Sequence, residues 1–201
     1  MIKKISVLMF ALLIIALFNS TNSNAQPTKT KYDVYPVFSI APVGGIQFPI
    51  GGLNDIYNAS FNAGIDLALK VNKETSFYLN AAYYDMPRKS EIAAGPNASY
   101  IVISAGPRYI FATPKLKAKF FLEAGAGVYI LNTKEYTLAG PPSVIIASES
   151  ATALGVNGGA GVIIPLGESM DLLMKEKLHY TFEKGGDRVF ISTMIGLDFK
   201  L

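Results

Sequence analysis

The chemistry this sequence can offer rests on a few side chains, chiefly Asp66, Asn80, Arg108, Glu123, Lys175, Lys177 and His179. Lys175, Lys177 and His179 alternate with Glu176 and Leu178, so an extended chain points the three nitrogen-bearing groups the same way. Charges sorted like this can line a polar pore or fill the inside of a narrow barrel, and both uses need a sheet that gathers them on one face. Nucleophilic catalysis finds little support. The single histidine sits in His179-Tyr180-Thr181, with threonine where a hydrolytic triad would hold serine, and the next acid, Glu183, has no triad spacing. The absence of cysteine removes disulfides, thiolate zinc sites and thiol nucleophiles together. Gly125-Ala126-Gly127 precedes no helix and is not a phosphate loop. No acid cluster has calcium-loop spacing, and no cofactor is expected.

The elements that must hold these residues are extended. The chain has 201 residues, is 50% hydrophobic and only 16% charged, against about a quarter charged in an ordinary soluble domain. Lys3 and Lys4 precede an apolar run from Ile5 to Phe18, too short to span a bilayer as a helix, and Ser23-Asn24-Ala25 follows with small residues at both ends. This is the pattern of a secretory signal over residues 1–25, cleaved after Ala25. A short polar leader, residues 26–33, would follow, and residues 34–201 would form one barrel domain. Removing the signal leaves sixteen basic against fifteen acidic residues. A chain so near neutrality offers no basic patch for nucleic acid.

Beyond the leader, β-branched and aromatic segments alternate with turn-like ones, and no segment has a helical period. Eight strands are predicted, over residues 34–48, 60–70, 75–85, 99–111, 118–131, 151–164, 170–182 and 188–201. Each can cross a tilted barrel wall, which needs about 9–11 residues. Connections after the second, fourth and sixth strands are brief, whereas those after the first, third and fifth are long and rich in Gly, Pro, Asn and Ser; the alternation is strict until the compact seventh connection, Glu183 to Asp187. Sorting by parity suits an outer-membrane barrel, with tight turns on the periplasmic side and longer loops outside. A soluble sandwich has no reason to adopt it.

The faces of the strands sort as well. Phe61, Ala63, Ile65, Leu67 and Leu69 oppose Asn62, Gly64, Asp66, Ala68 and Lys70; Phe120, Leu122, Ala124, Ala126, Val128 and Ile130 oppose Phe121, Glu123, Gly125, Gly127 and Tyr129. Charge travels with the small residues, so the small set is the lumen and the aliphatic set meets lipid, where a basic residue at midplane costs about 2–4 kcal/mol. Gly125, Gly127, Gly155, Gly159 and Gly161 then make room inside for long side chains opposite. Centring the fourth turn between Lys115 and Leu116 puts Arg108 opposite Glu123. The same construction puts Asp66 opposite Asn80 and Asn157 near His179. The lumen charges are read as a structural network rather than a pore lining, because eight strands leave an interior just wide enough for side chains.

Three features fit less well. Glu176 is left facing outward, which calls for a bulge or a position near the lipid interface, and Pro42 and Pro107 are each expected to mark a bulge. The last segment, Arg188 to Leu201, alternates to the final residue and should close the barrel against the first, with Ile195, Leu197 and Phe199 toward lipid and Asp198 and Lys200 at the periplasmic mouth.

The stretches SAGPRYIF (Ser104 to Phe111), FLEAGAGVYIL (Phe121 to Leu131), GVNGGAGVIIPL (Gly155 to Leu166), the following LHYTF and the terminal GLDFKL together resemble the small outer-membrane β-barrel family of Gram-negative bacteria, with its OmpA-like transmembrane domains and OmpX-like proteins. The resemblance covers the mature chain. It implies an all-β, eight-stranded antiparallel transmembrane barrel of up-and-down meander topology in the cell outer membrane. It further implies outer-membrane lipids as surroundings and the barrel-assembly machinery as a partner reading the C-terminal strand. The family's usual terminal Phe is Leu201 here, with Phe199 two positions back on the same face. No peptidoglycan-binding domain, and so no tether to the cell wall, is expected. The expected role is non-enzymatic, structural or exerted through surface loops over a plugged lumen. The loop 132–150, with Tyr136, Pro141, Pro142, Val144, Ile145 and Ile146, is the candidate for a surface ligand. A small-solute pore and a soluble lipocalin-like binding barrel are the alternatives.

Overall fold

The computed structural model describes residues 35–90, 95–112, 118–138, 143–183 and 186–201. The expected signal and leader, and Pro141 and Pro142, lie outside the described residues. The strands are β1 (Val37–Ile50), β2 (Ser60–Lys70), β3 (Thr75–Met86), β4 (Ala98–Ala112), β5 (Lys119–Thr133), β6 (Tyr136–Leu138), β7 (Val144–Ile146), β8 (Glu149–Pro165), β9 (Met170–Phe182) and β10 (Arg188–Lys200). Eight of them close a barrel in the order β1-β10-β9-β8-β5-β4-β3-β2, all neighbours antiparallel, and β6 and β7 form a small separate hairpin. The meander follows from short alternating segments joined by turns. Closure comes from β10 pairing with β1, Ser39 opposite Lys200 through Ile50 opposite Val189.

The registers fix the barrel's geometry. Stepping strand to strand along the ladder from Ser60 leads through Gln47, Ser192, Lys177, Gly159, Glu123, Arg108 and Ser76 to Lys70. The walk returns to β2 ten residues beyond its start. Eight strands with that stagger tilt at about 40° to the axis. Every residue on this walk faces inward, so the stagger winds one polar row around the lumen.

The two faces separate cleanly. Phe61, Leu122 and Ile195 on the outside are 54%, 54% and 50% exposed, while Tyr84, Tyr100, Lys177 and His179 inside are wholly buried. Aliphatic exposure on this scale around a whole barrel is a membrane belt, not a water-facing surface. Aromatic girdles bound it. Phe61 packs on Tyr83 (centroids 5.9 Å) and Tyr180 on Phe182 (5.2 Å) at the outer rim, and Tyr109 packs on Phe111 (4.8 Å) at the inner one.

Several expectations need correction. A five-residue helix, α1 (Gly52–Ile56), stands in the first outer connection, where the sequence shows no helical period. It is too short for an amphipathic pattern to register. Leu53 and Tyr57 turn back into the apolar cluster that also holds Tyr84, Tyr100 and Phe190. The first two outer connections are joined by backbone bonds from Asn58 to the Pro87 carbonyl and from Lys89 to the Ile56 carbonyl, each 2.9 Å. Pro42 and Pro107 mark no bulge. Pairing lapses at Ala41-Pro42 toward β10 and at Gly106-Pro107 toward β5, then resumes in unchanged register. The proline, lacking an N–H, removes a ladder bond without inserting a residue. Nor does β9 contain a bulge: its pairing with β8 and with β10 runs uninterrupted past Glu176.

Candidate functional site

The inward polar row becomes two tiers. In the lower tier Arg108 on β4 stands opposite Glu123 on β5, with Nε 2.8 Å from Oε2, and its Nη2 reaches Asp66 on β2 at 2.9 Å. Lys175 on β9 pairs with the other oxygen of Asp66 and lies 3.9 Å from Glu123. Lys177 reaches Glu123 at 3.2 Å. All five side chains are buried, so two acids hold three cations away from water. Aromatic faces share the remaining charge. Arg108 lies 4.5 Å from the Phe121 centroid and Lys177 4.3 Å from that of Tyr78. Gly125 is required here, because a Cβ on it would strike the Tyr78 hydroxyl and the Ala105 carbonyl.

The upper tier is aromatic. His179 stacks on Phe190, centroids 4.5 Å apart and rings 9° from parallel, with Tyr84, Tyr100 and Tyr129 packed around the pair. The imidazole Nε2 is 3.0 Å from Ser192 Oγ, and Nδ1 is 3.0 Å from the Tyr129 hydroxyl. Asn157 accepts from Tyr78 (2.7 Å) and reaches Tyr129 at 3.5 Å, so it meets His179 through Tyr129. Above this tier Glu183 accepts from Tyr100 and Thr181 and pairs with Arg188 at 2.8 Å.

Sequence reasoning locates the charged members but groups them incompletely. Asn80 stands opposite Asp66 in register, yet its amide donates to the Ile65 carbonyl at 3.2 Å while Asp66 turns to Arg108 and Lys175. Tyr78, Tyr84, Tyr100, Tyr129, Phe190 and Ser192 escape it as members of the site. Inward parity is the available signal, since each alternates with a more exposed neighbour. Ser192 beside His179 brings hydroxyl and imidazole together. The ring face is covered by Phe190, Nδ1 meets a phenol rather than a carboxylate, and both residues are wholly buried, so the pair fills space and bonds internally. Among the described residues no group of three His, Cys, Asp or Glu could hold a metal ion.

At the periplasmic end Lys200 pairs with Asp171 at 2.7 Å, beside a cleft lined by Lys70, Ser76, Lys119 and Asp198. At the other end Val144, Ile145 and Ile146 on β7 stand exposed in the third outer connection. The polarity of the wall, apolar outside and charged inside, is the reverse of a soluble lipocalin-like barrel.

A closed antiparallel barrel with a lipid-facing belt and an ion-paired lumen defines a transmembrane β-barrel. No family model and no curated protein matches the sequence. Solved structures do. Neisserial surface protein A superposes with a TM-score of 0.61 at 15% identity, over 82% of this chain and 97% of that one. A major outer membrane protein of Thermus thermophilus gives 0.60 at 12%, over 82% and 99%. The N-terminal barrel domain of Pseudomonas aeruginosa OprF gives 0.51 at 14%, over 83% and 98%. At these identities the likeness is one of fold. The chain is an eight-stranded outer-membrane β-barrel, with the fold of the small OmpA-like and OmpX-like barrels.

Proposed function

We propose that the protein acts as a non-conducting, non-enzymatic barrel that holds its outer connections at the cell surface for contact with other molecules. The observation that carries this reading is the cluster of Asp66, Arg108, Glu123, Lys175 and Lys177, which ties β2, β4, β5 and β9 together through the lumen. Eight strands leave room for little besides side chains, and paired charges at that point leave no wet path. The exposed Val144, Ile145 and Ile146 support the third outer connection, residues 132–150, as the contact surface. Planar-bilayer recording tests the plug. Wild type is expected to be silent, and Arg108→Ala to open ion-conducting steps. Wild-type steps as large as those of the variant would favour the small-solute pore instead.

The same reading includes export with cleavage after Ala25, which predicts a mature chain starting at Gln26 on N-terminal sequencing. It also includes insertion by the barrel-assembly machinery through the final strand, whose Phe199 and Leu201 share the lipid side.

A further inference from the structure

Glu176 stands apart from every other charge in the barrel wall. On β9 it alternates with the buried Lys175 and Lys177 and therefore faces lipid. Its depth follows from the registers. Three strand-to-strand steps, through Thr193 and Ile46, separate it from Phe61 of the outer girdle, and three, through Ala160 and Leu122, separate it from Tyr109 of the inner one. At a tilt near 40° each step changes depth by about 3 Å, which puts Glu176 midway between the two girdles, about 9 Å from each. Among the described residues no hydrogen bond or ion pair reaches its carboxylate, and no other charged side chain faces lipid between the girdles.

The surroundings of this carboxylate are cut away. Thr193, directly opposite on β10, is the other polar group at this level. Gly44 on β1 and Gly158 on β8 flank the pair at nearly the same depth. A Cβ at either would meet its own chain only at ordinary contact distance, 3.6 Å from the Asn62 carbonyl oxygen and 3.8 Å from that of Glu123. The barrel's own packing therefore does not require glycine at these two places. They lower the outer surface on both sides of a polar pair that hydrocarbon cannot satisfy.

We infer that the β9–β10 face, centred on Glu176 and Thr193, is an interface between two copies of this chain in the membrane. Copies of one barrel insert in the same direction, so their two-fold axis is parallel to the membrane normal and every residue keeps its depth. Glu176 can then be satisfied only by a lipid-facing polar group at its own level. In a second copy those groups are Glu176 and Thr193. An axis between β9 and β10 sets each Glu176 carboxyl against the other copy's Thr193 hydroxyl, twice over, while Gly44 and Gly158 let the walls approach.

The chain has no cysteine, so a single engineered one reports a single position. Full-length mature protein carrying Ile195→Cys, on the proposed face, is compared with Leu79→Cys on the opposite wall, in liposomes at high lipid dilution with a short bismaleimide. Both sites are about half exposed to lipid. The dimer yield from Ile195→Cys is expected to exceed that from Leu79→Cys about tenfold, to fall to the control level with Glu176→Leu, and to persist with Glu176→Gln, which keeps the hydrogen bonding. Gel mobility without boiling verifies that each variant is folded. Equal yields at the two sites, or a yield indifferent to Glu176→Leu in folded protein, would overturn the inference.

Discussion

Arg108 and Asp66 sit on strands that are not neighbours, β4 and β2, yet the guanidinium and the carboxylate meet at 2.9 Å inside the barrel. The same Arg108 holds Glu123 across its own hairpin. The lumen is thus braced through its interior, between strands that are not neighbours, rather than only along its wall.

This bracing sets the cost of breaking it. Glu123→Gln leaves Arg108, Lys175 and Lys177 with one carboxylate among them. Removing one member of a buried ion cluster costs about 3–5 kcal/mol. Urea unfolding in lipid vesicles, followed by gel mobility because the chain has no Trp, should give a midpoint well below wild type. An unchanged midpoint would mean that the cluster contributes nothing to stability.

Glu176→Leu is expected to act in the opposite direction on the single barrel. Replacing a lipid-facing acid at mid-depth with an aliphatic side chain should stabilise the monomer by about 1–2 kcal/mol. The measurement is the same unfolding curve, taken in micelles holding one chain each. A loss of stability there would show that the carboxylate is satisfied within its own barrel.

Two glycines should respond differently to alanine. Gly125→Ala drives a methyl into the Tyr78 hydroxyl and the Ala105 carbonyl and should cost about 1–3 kcal/mol. Gly158→Ala meets nothing closer than 3.8 Å in its own chain, and in micelles its stability should stay within about 0.5 kcal/mol of wild type. Comparable losses at both positions would contradict the close approach described at Gly125.

Leu201→Phe tests the proposed reading of the final strand by the barrel-assembly machinery. Insertion into proteoliposomes containing the barrel-assembly machinery should proceed faster for the variant, with little change in the final folded fraction. A rate unaffected by the change would count against the proposal that position 201 is read during insertion.

Much of this architecture is legible in the residues. Period two alone sorts Asp66 inward and Ile65 outward, because neighbouring side chains in a strand must point to opposite faces. The register Arg108 opposite Glu123 is legible because a hairpin turn of known centre dictates which residues face. The mid-strand position of Glu176 is visible too, but its consequence is not. The pattern calls for a bulge or an interfacial position, whereas β9 keeps its register and leaves the acid in the belt.

What the sequence determined by itself is therefore local: eight crossings, their inside and outside, and the pairing within each tight hairpin. Tertiary structure decided the rest. Lys175 and Asp66 lie 109 residues apart, and no turn relates them. They meet only because closure with a ten-residue stagger brings β9 and β2 to one level of a narrow lumen. The stack of His179 on Phe190, the α1 fold-back and the depth of Glu176 have the same origin. Each depends on how far the ladder has shifted when the barrel closes, a sum over all eight registers that no single segment carries.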